Sequence, residues 1–73
     1  MKTDNWIPVS DRLPDVGYKN QILVYCKREY ENEMEIIQAW REEYGFCSLF
    51  MREDEDLHVT HWMYLPKPPT HIF

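Results

Sequence analysis

Seventy-three residues leave room for one domain, and a chain this short removes only about 60% of its unfolded surface from water, so its core must be built from large side chains. Three Trp, five Tyr and three Phe supply them, and 44% hydrophobic against 29% charged residues is the balance of a folded chain and not of a disordered tail. Eight basic against 13 acidic residues give a net charge of −5, with Lys2, Arg12, Lys19, Lys27, Arg28, Arg41, Arg52 and Lys67 scattered along the chain; this argues against direct nucleic-acid binding and suits solubility or a basic partner.

The first ten residues, MKTDNWIPVS, lack the apolar run of a signal peptide, and no segment approaches the 18 or so apolar residues of a bilayer span. The expectation is a cytoplasmic, non-membrane domain over 1–73, its core within about 6–69. Trp6–Val9 reads as an extended segment that lays Trp6 and Ile7 against the core. SDRLPDVGYKN follows as an ordered loop, since Pro8 and Pro14 lack amide donors and Gly17 permits a turn.

QILVYCK (Gln21–Lys27) has the β-branched and aromatic content of a strand, with Ile22, Val24 and Cys26 on one face and Leu23 and Tyr25 on the other. Apolar residues on both faces imply that neither is fully solvated. Glu31–Tyr44 fits two periods. Met34, Ile37, Trp40 and Tyr44 follow helical spacing in a Glu-rich setting, which leans towards a helix at about 31–44 and an α+β fold; with period two, Met34, Ile36, Gln38 and Trp40 share a strand face.

Phe46–Met51 is a short strand candidate, and Glu53–Asp56 reads as a solvated hairpin loop without the spaced ligands of a calcium site. His58–Leu65 is a second clear strand. Strict alternation places His58, Thr60, Trp62 and Tyr64 on one face and Val59, His61, Met63 and Leu65 on the other. Pro66 ends it, because proline cannot continue a ladder. The tail after it is expected to fold back with its prolines on an aromatic ring. Its Pro66-x-x-Pro69 spacing beside Lys67 also has the form of a polyproline ligand. The expected core is Trp6, Ile7, Ile22, Val24, Trp40, Phe46, Val59, Trp62 and Leu65.

No constellation announces catalysis. Cys26 and Cys47 stand 21 apart without a CxxC motif and read as reduced core residues, with a cross-strand disulfide as the alternative. His58 and His61 are three apart in a strand and point to opposite faces unless a bulge intervenes, so they do not suggest a metal site. Two glycines make no phosphate loop, and Ser10, Ser48 and Thr60 lie in no nucleophile motif. The chain is read as a non-enzyme without cofactor. Arg12 between Asp11 and Asp15 suggests an ion pair that pins its loop; read functionally, Arg12 and Leu13 form an exposed recognition tip. Eleven aromatics are more than so small a core can bury, which adds Trp62 and Tyr64 as candidate partner-binding residues.

The motifs WIPVSDRLP (Trp6–Pro14) and VTHWMYLPKPP (Val59–Pro69), with Leu23–Tyr25, the Ala39–Trp40 pair and Phe46 between them, resemble the phage and prophage family catalogued as domain of unknown function 551. The likeness covers about Trp6 to Pro69, and Tyr64 stands where the family more often has proline. The family brings no activity with it. The resemblance implies a phage or prophage protein in bacterial cytoplasm, and strand character for 34–41.

The expected fold is then mainly β: an antiparallel meander of four strands, 21–28, 34–41, 46–51 and 58–65, with the N- and C-terminal segments packed on it. The expected function is that of an accessory protein binding a host or phage protein. A homodimer through strand edges is one alternative. The other is acidic mimicry of nucleic acid by Glu31, Glu33, Glu35, Glu42, Glu43 and Glu53–Asp56.

Overall fold

The computed structural model describes residues 5–52 and 55–66, and over these the chain forms five strands and no helix. They are β1 (Ile7–Pro8), β2 (Ile22–Arg28), β3 (Met34–Glu42), β4 (Gly45–Cys47) and β5 (Leu57–Tyr64). Every ladder is antiparallel, in the order β1-β5-β2-β3-β4. The mainly β expectation holds, and the helix at 31–44 gives way to strand. Ala39, Ile37 and Glu35 lie opposite Ile22, Val24 and Cys26, so pairing with β2 brings Ile37 and Ala39 into the core and turns the Met34, Ile36, Gln38 and Trp40 face outwards. Helix propensity, worth only tenths of a kcal/mol per residue, does not outweigh that.

The strands do not succeed one another across the sheet as a sequential meander requires. From β4 at one edge the chain crosses back, and β5 enters between β1 and β2. There Trp62 has Val24 as its neighbour on one side and Ile7 on the other. At an edge, one flank of this large ring would be bare. β1 closes the far side: Pro8 needs no donor in an edge strand, and the Val9 N–H bonds the Thr60 carbonyl at 3.0 Å.

The third expected strand, 46–51, is shortened to Gly45–Cys47. Ser48 ends it by donating from Oγ to the Gln38 carbonyl (2.7 Å) and accepting from the Phe50 N–H (3.0 Å), which turns Leu49 and Phe50 to solvent.

In β5 the register slips by one residue. Tyr25 faces His61 while Cys26 faces Val59, so Thr60 is the extra residue of a bulge. Leu57 and Val59 thereby share a face with Trp62 and Tyr64, which corrects the strict alternation expected from the sequence.

The inner face carries the core: Ile22, Val24, Cys26, Ala39 and Trp62, ringed by Ile7, Val9, Ile37, Phe46, Leu57 and Val59. Loops cover it in place of a second layer. The 9–21 loop is tied to the end of β3, where the Gly17 N–H bonds the Arg41 carbonyl (2.8 Å) and Arg41 Nη1 bonds the Pro14 carbonyl (3.0 Å). Gly17 adopts φ +130°, a region that side-chain-bearing residues rarely enter.

Three expected core residues lie elsewhere. Trp6 packs on the outer face against Tyr25, Trp40 stands edge-on to Tyr18 outside the core cluster, and Leu65 is 38% exposed just beyond the last strand. Of the cysteines, Cys26 is in the core, Cys47 is half-buried, and both are free. The expected packing of the proline tail falls on residues 67–73, outside the described residues.

Candidate binding surface

The register defines an outer face that runs across four strands. Pro8 lies opposite His61, His61 opposite Tyr25, and Tyr25 opposite Ile36, which makes one continuous row. Leu23 and Met63 flank the row on one side, and Lys27, His58 and Met34 on the other. Trp6 precedes the β1 edge and tilts over Tyr25 at 6.2 Å between ring centroids; Tyr25 and His61 stand 6.4 Å apart. Trp6, Pro8, Tyr25, Ile36 and His61 line a shallow depression of about 370 Å³. Ile36 is 55% exposed in the middle of a strand, where β-branched residues are normally covered. His61 Nδ1 lies 2.9 Å from Thr60 Oγ1, so the bulge also fixes the imidazole of this face. Through that bulge His58 and His61 share the face of Lys27 and Tyr25, where strict alternation had separated them. Among the described residues no three potential metal ligands cluster.

The residues singled out from the sequence assemble on the opposite, inner side. Trp62 is 1% exposed, which removes it from the candidate binding set and leaves it in the core. Its Nε1–H donates to the Arg12 carbonyl at 2.9 Å, and the Arg12 guanidinium sits 5.7 Å above its ring. The ion pair expected of Arg12 with Asp11 or Asp15 is absent among the described residues; the indole holds the loop instead. Tyr64 stands edge-on to Trp62 at 5.0 Å and is 61% exposed, and Leu13 also reaches solvent. Arg12 and Tyr64 are thus organised around a buried Trp62 platform, on the other side of the sheet from Tyr25 and Ile36, with Leu13 exposed next to Arg12 in the chain.

The acidic loop before β5 is not simply solvated. Glu55 is 6% exposed and reaches Arg28 Nη1 at 3.5 Å, while Arg28 Nε bonds Glu35 at 2.6 Å. The Arg52 N–H also bonds Glu55 Oε1 (2.8 Å), so one carboxylate clamps its loop to β2. Glu53 and Asp54 lie outside the described residues. Beside this cluster, burial first and the Glu35 charge second push the Cys26 thiol up to about 11, with Arg28 opposing them. The hydrogen bond that Arg28 donates to the Glu35 carboxylate in turn raises the Arg28 guanidinium further.

A second cleft, of about 640 Å³, lies between the β3–β4 hairpin and the start of β5, lined by Trp40, Tyr44, Phe46, Cys47 and Met51 among others. Its hydroxyl and thiol groups already have partners. Cys47 Sγ contacts the Tyr44 hydroxyl at 3.4 Å, and Ser48 Oγ is held by backbone groups. Its wall is the Arg52–Glu55 clamp, which reads as support for the loop and not as a receptor.

Tyr25, Ile36 and His61 were missed as site residues. The available signal was the apolar pattern on both faces of 21–27, since two apolar faces in one thin sheet leave one to be covered from outside.

A five-stranded open antiparallel sheet, with loops over one face and an aromatic row on the other, is the architecture of a small β module. The chain belongs to the family described as Protein of unknown function (DUF551), whose model matches residues 5–70. No curated protein and no solved structure matches it.

Proposed function

We propose that this chain is a non-enzymatic accessory protein of phage or prophage origin, acting in bacterial cytoplasm by binding a host or phage protein. The phage setting rests on the end motifs WIPVSDRLP and VTHWMYLPKPP. The observation that carries the binding reading is the row Pro8–His61–Tyr25–Ile36 with Trp6 beside it, which no other described residue covers, an apolar and aromatic surface with a few polar groups to fix orientation. Acidic mimicry is the weaker reading. Glu35 and Glu55 are matched by Arg28, and Glu42 accepts the Trp40 indole N–H at 2.8 Å, which withdraws three of the acids such a row needs.

The test is affinity capture from host lysate with the wild-type chain, a Tyr25→Arg variant and a Tyr64→Ala variant. The expected result is a protein retained by the wild type and by Tyr64→Ala but lost with Tyr25→Arg. Retention by all three, or capture of nothing, overturns the outer face as the binding surface. Loss with Tyr64→Ala alone moves the site to Arg12, Leu13 and Tyr64.

A further inference from the structure

One edge of β3 is covered for only part of its length. β4 pairs with Trp40–Glu42, and Ser48 occupies the Gln38 carbonyl, but among the described residues nothing pairs with Met34–Ile37 on that side. Backbone groups in a strand alternate between its two edges. The Arg41 carbonyl receives Gly17 on the side of β2, and the Gln38 carbonyl receives Ser48 on the side of β4. Odd-numbered residues of β3 therefore turn their N–H and C=O towards β2, and even-numbered ones turn away. Met34 and Ile36 direct both of their backbone groups out of the sheet. Such an edge is ordinarily blunted by lysine, proline or a bulge, and Met34-Glu35-Ile36-Ile37 has none of these.

The surroundings define what fits there. Ile36 ends the apolar row on the outer side, and Leu49 and Phe50 are exposed just past Ser48. Glu35 lies on the inner side, Glu31 and Glu33 are exposed in the turn before the strand, and the whole chain carries −5. Lys27, the nearest free cation on β2, is turned onto the Glu31 carbonyl at 3.0 Å.

We propose that Met34 and Ile36 accept an extended segment of a partner protein as a sixth strand. Its side chains alternate between apolar, beside Ile36, and basic, towards the turn that carries the exposed Glu31 and Glu33. This deepens the binding reading above and rests on it, adding the route by which the partner enters. A second copy fits less well. Twofold pairing over Met34–Ile36 centres on Glu35 and sets two Glu35 carboxylates side by side between chains of charge −5 each.

The full chain, labelled for amide NMR, is titrated with a capped six-residue peptide alternating Lys and Val, and with its Glu–Val counterpart. The expected result is shifted signals and slowed hydrogen exchange at Met34 and Ile36 with the Lys peptide alone. Ile36→Pro deletes one outward N–H without touching the β2 ladder and weakens binding about fivefold to tenfold. Ile36→Lys keeps the backbone, opposes the peptide's charge and weakens it as well. No shift at millimolar peptide, an equal response to the Glu peptide, or shifts confined to Tyr25 and His61 overturns strand addition. Protection at Met34 and Ile36 that rises with protein concentration alone assigns the edge to a second copy and also overturns it. Peptide binding without any captured protein sinks the cellular reading and leaves the edge; capture lost with Tyr25→Arg but unaffected by Ile36→Pro does the reverse.

Discussion

Trp62 joins three roles in one side chain: it fills the core, bonds the Arg12 carbonyl and carries the Arg12 guanidinium. Trp62→Ala is expected to cost about 3–5 kcal/mol, most of the stability of so small a domain, read as a collapse of the urea midpoint. Trp62→Phe keeps much of the volume but leaves the Arg12 carbonyl without its donor. That costs about 1–3 kcal/mol and loosens the 9–21 loop, read as faster amide exchange there. Cys26 gives a pH signature. Its folded thiol, pushed up to about 11, holds its proton more tightly than the unfolded thiol near 9.0. The folded state therefore binds more protons between those values, and the thiol's contribution, complete below pH 9, is lost as pH rises towards 11. A urea midpoint that falls over this window in the wild type and less in Cys26→Ala is the expected outcome. At pH 8 a thiol reagent should modify half-buried Cys47 well before Cys26. Burial of Cys26 was legible from its place after Ile22 and Val24 on the same face of the strand. The indole–Arg12 bond was not, because it joins residues 50 positions apart.

At the scale of elements, β2 and β5 were readable because composition and alternation agreed in both. The bulge at Thr60 was not, although the sequence held a trace of it: Val59 and Trp62 both look like core residues, and three positions apart they can share a strand face only if an extra residue intervenes. The end of β4 was hidden for a similar reason. Ser48 stops the strand by bonding Gln38 and Phe50, a choice made by tertiary position while the apolar run Leu49–Met51 suggested continuation. Ser48→Ala is expected to lose about 1–2 kcal/mol and to raise exchange at Phe50, measured by denaturation and amide exchange. The Glu55 clamp allows a sharper test. Glu55→Gln keeps the shape but leaves the Arg28 charge with Glu35 alone, whereas Arg28→Met strands two carboxylates, one of them buried. Arg28→Met should therefore be the more destabilising of the two, by chemical denaturation, and equal losses would show that the loop is held by its backbone instead.

For the whole molecule, the composition pointed to more aromatic surface than one core can absorb, and the excess is divided between the outer face, at Trp6 and Tyr25, the turns and loops, at Tyr18, Tyr30, Tyr44 and Phe50, and Tyr64 at the end of β5. The strand order was out of reach because alternation tells which residues share a face but not which strand is a neighbour. Only the long-range fit of Trp62 between Ile7 and Val24 decides it. Ile36→Lys should raise the concentration at which the protein stays clear while leaving its thermal midpoint nearly unchanged, since a 55% exposed side chain contributes little to the core. A large drop in the midpoint would mean that the outer face is covered in solution. The place of β5 has a further consequence, in time and not in space. A chain emerging from the ribosome through Arg52 has made β1, which still lacks its neighbour, and the β2–β3–β4 meander, whose inner face has no Trp62. Closure waits for the last strand to slide between two earlier ones, a step with long loops to close that sets the pace of folding. Until then the nascent chain shows its greasiest surface to the cell, and shortening the protein by its final strand would cost the centre of the fold and not its fringe.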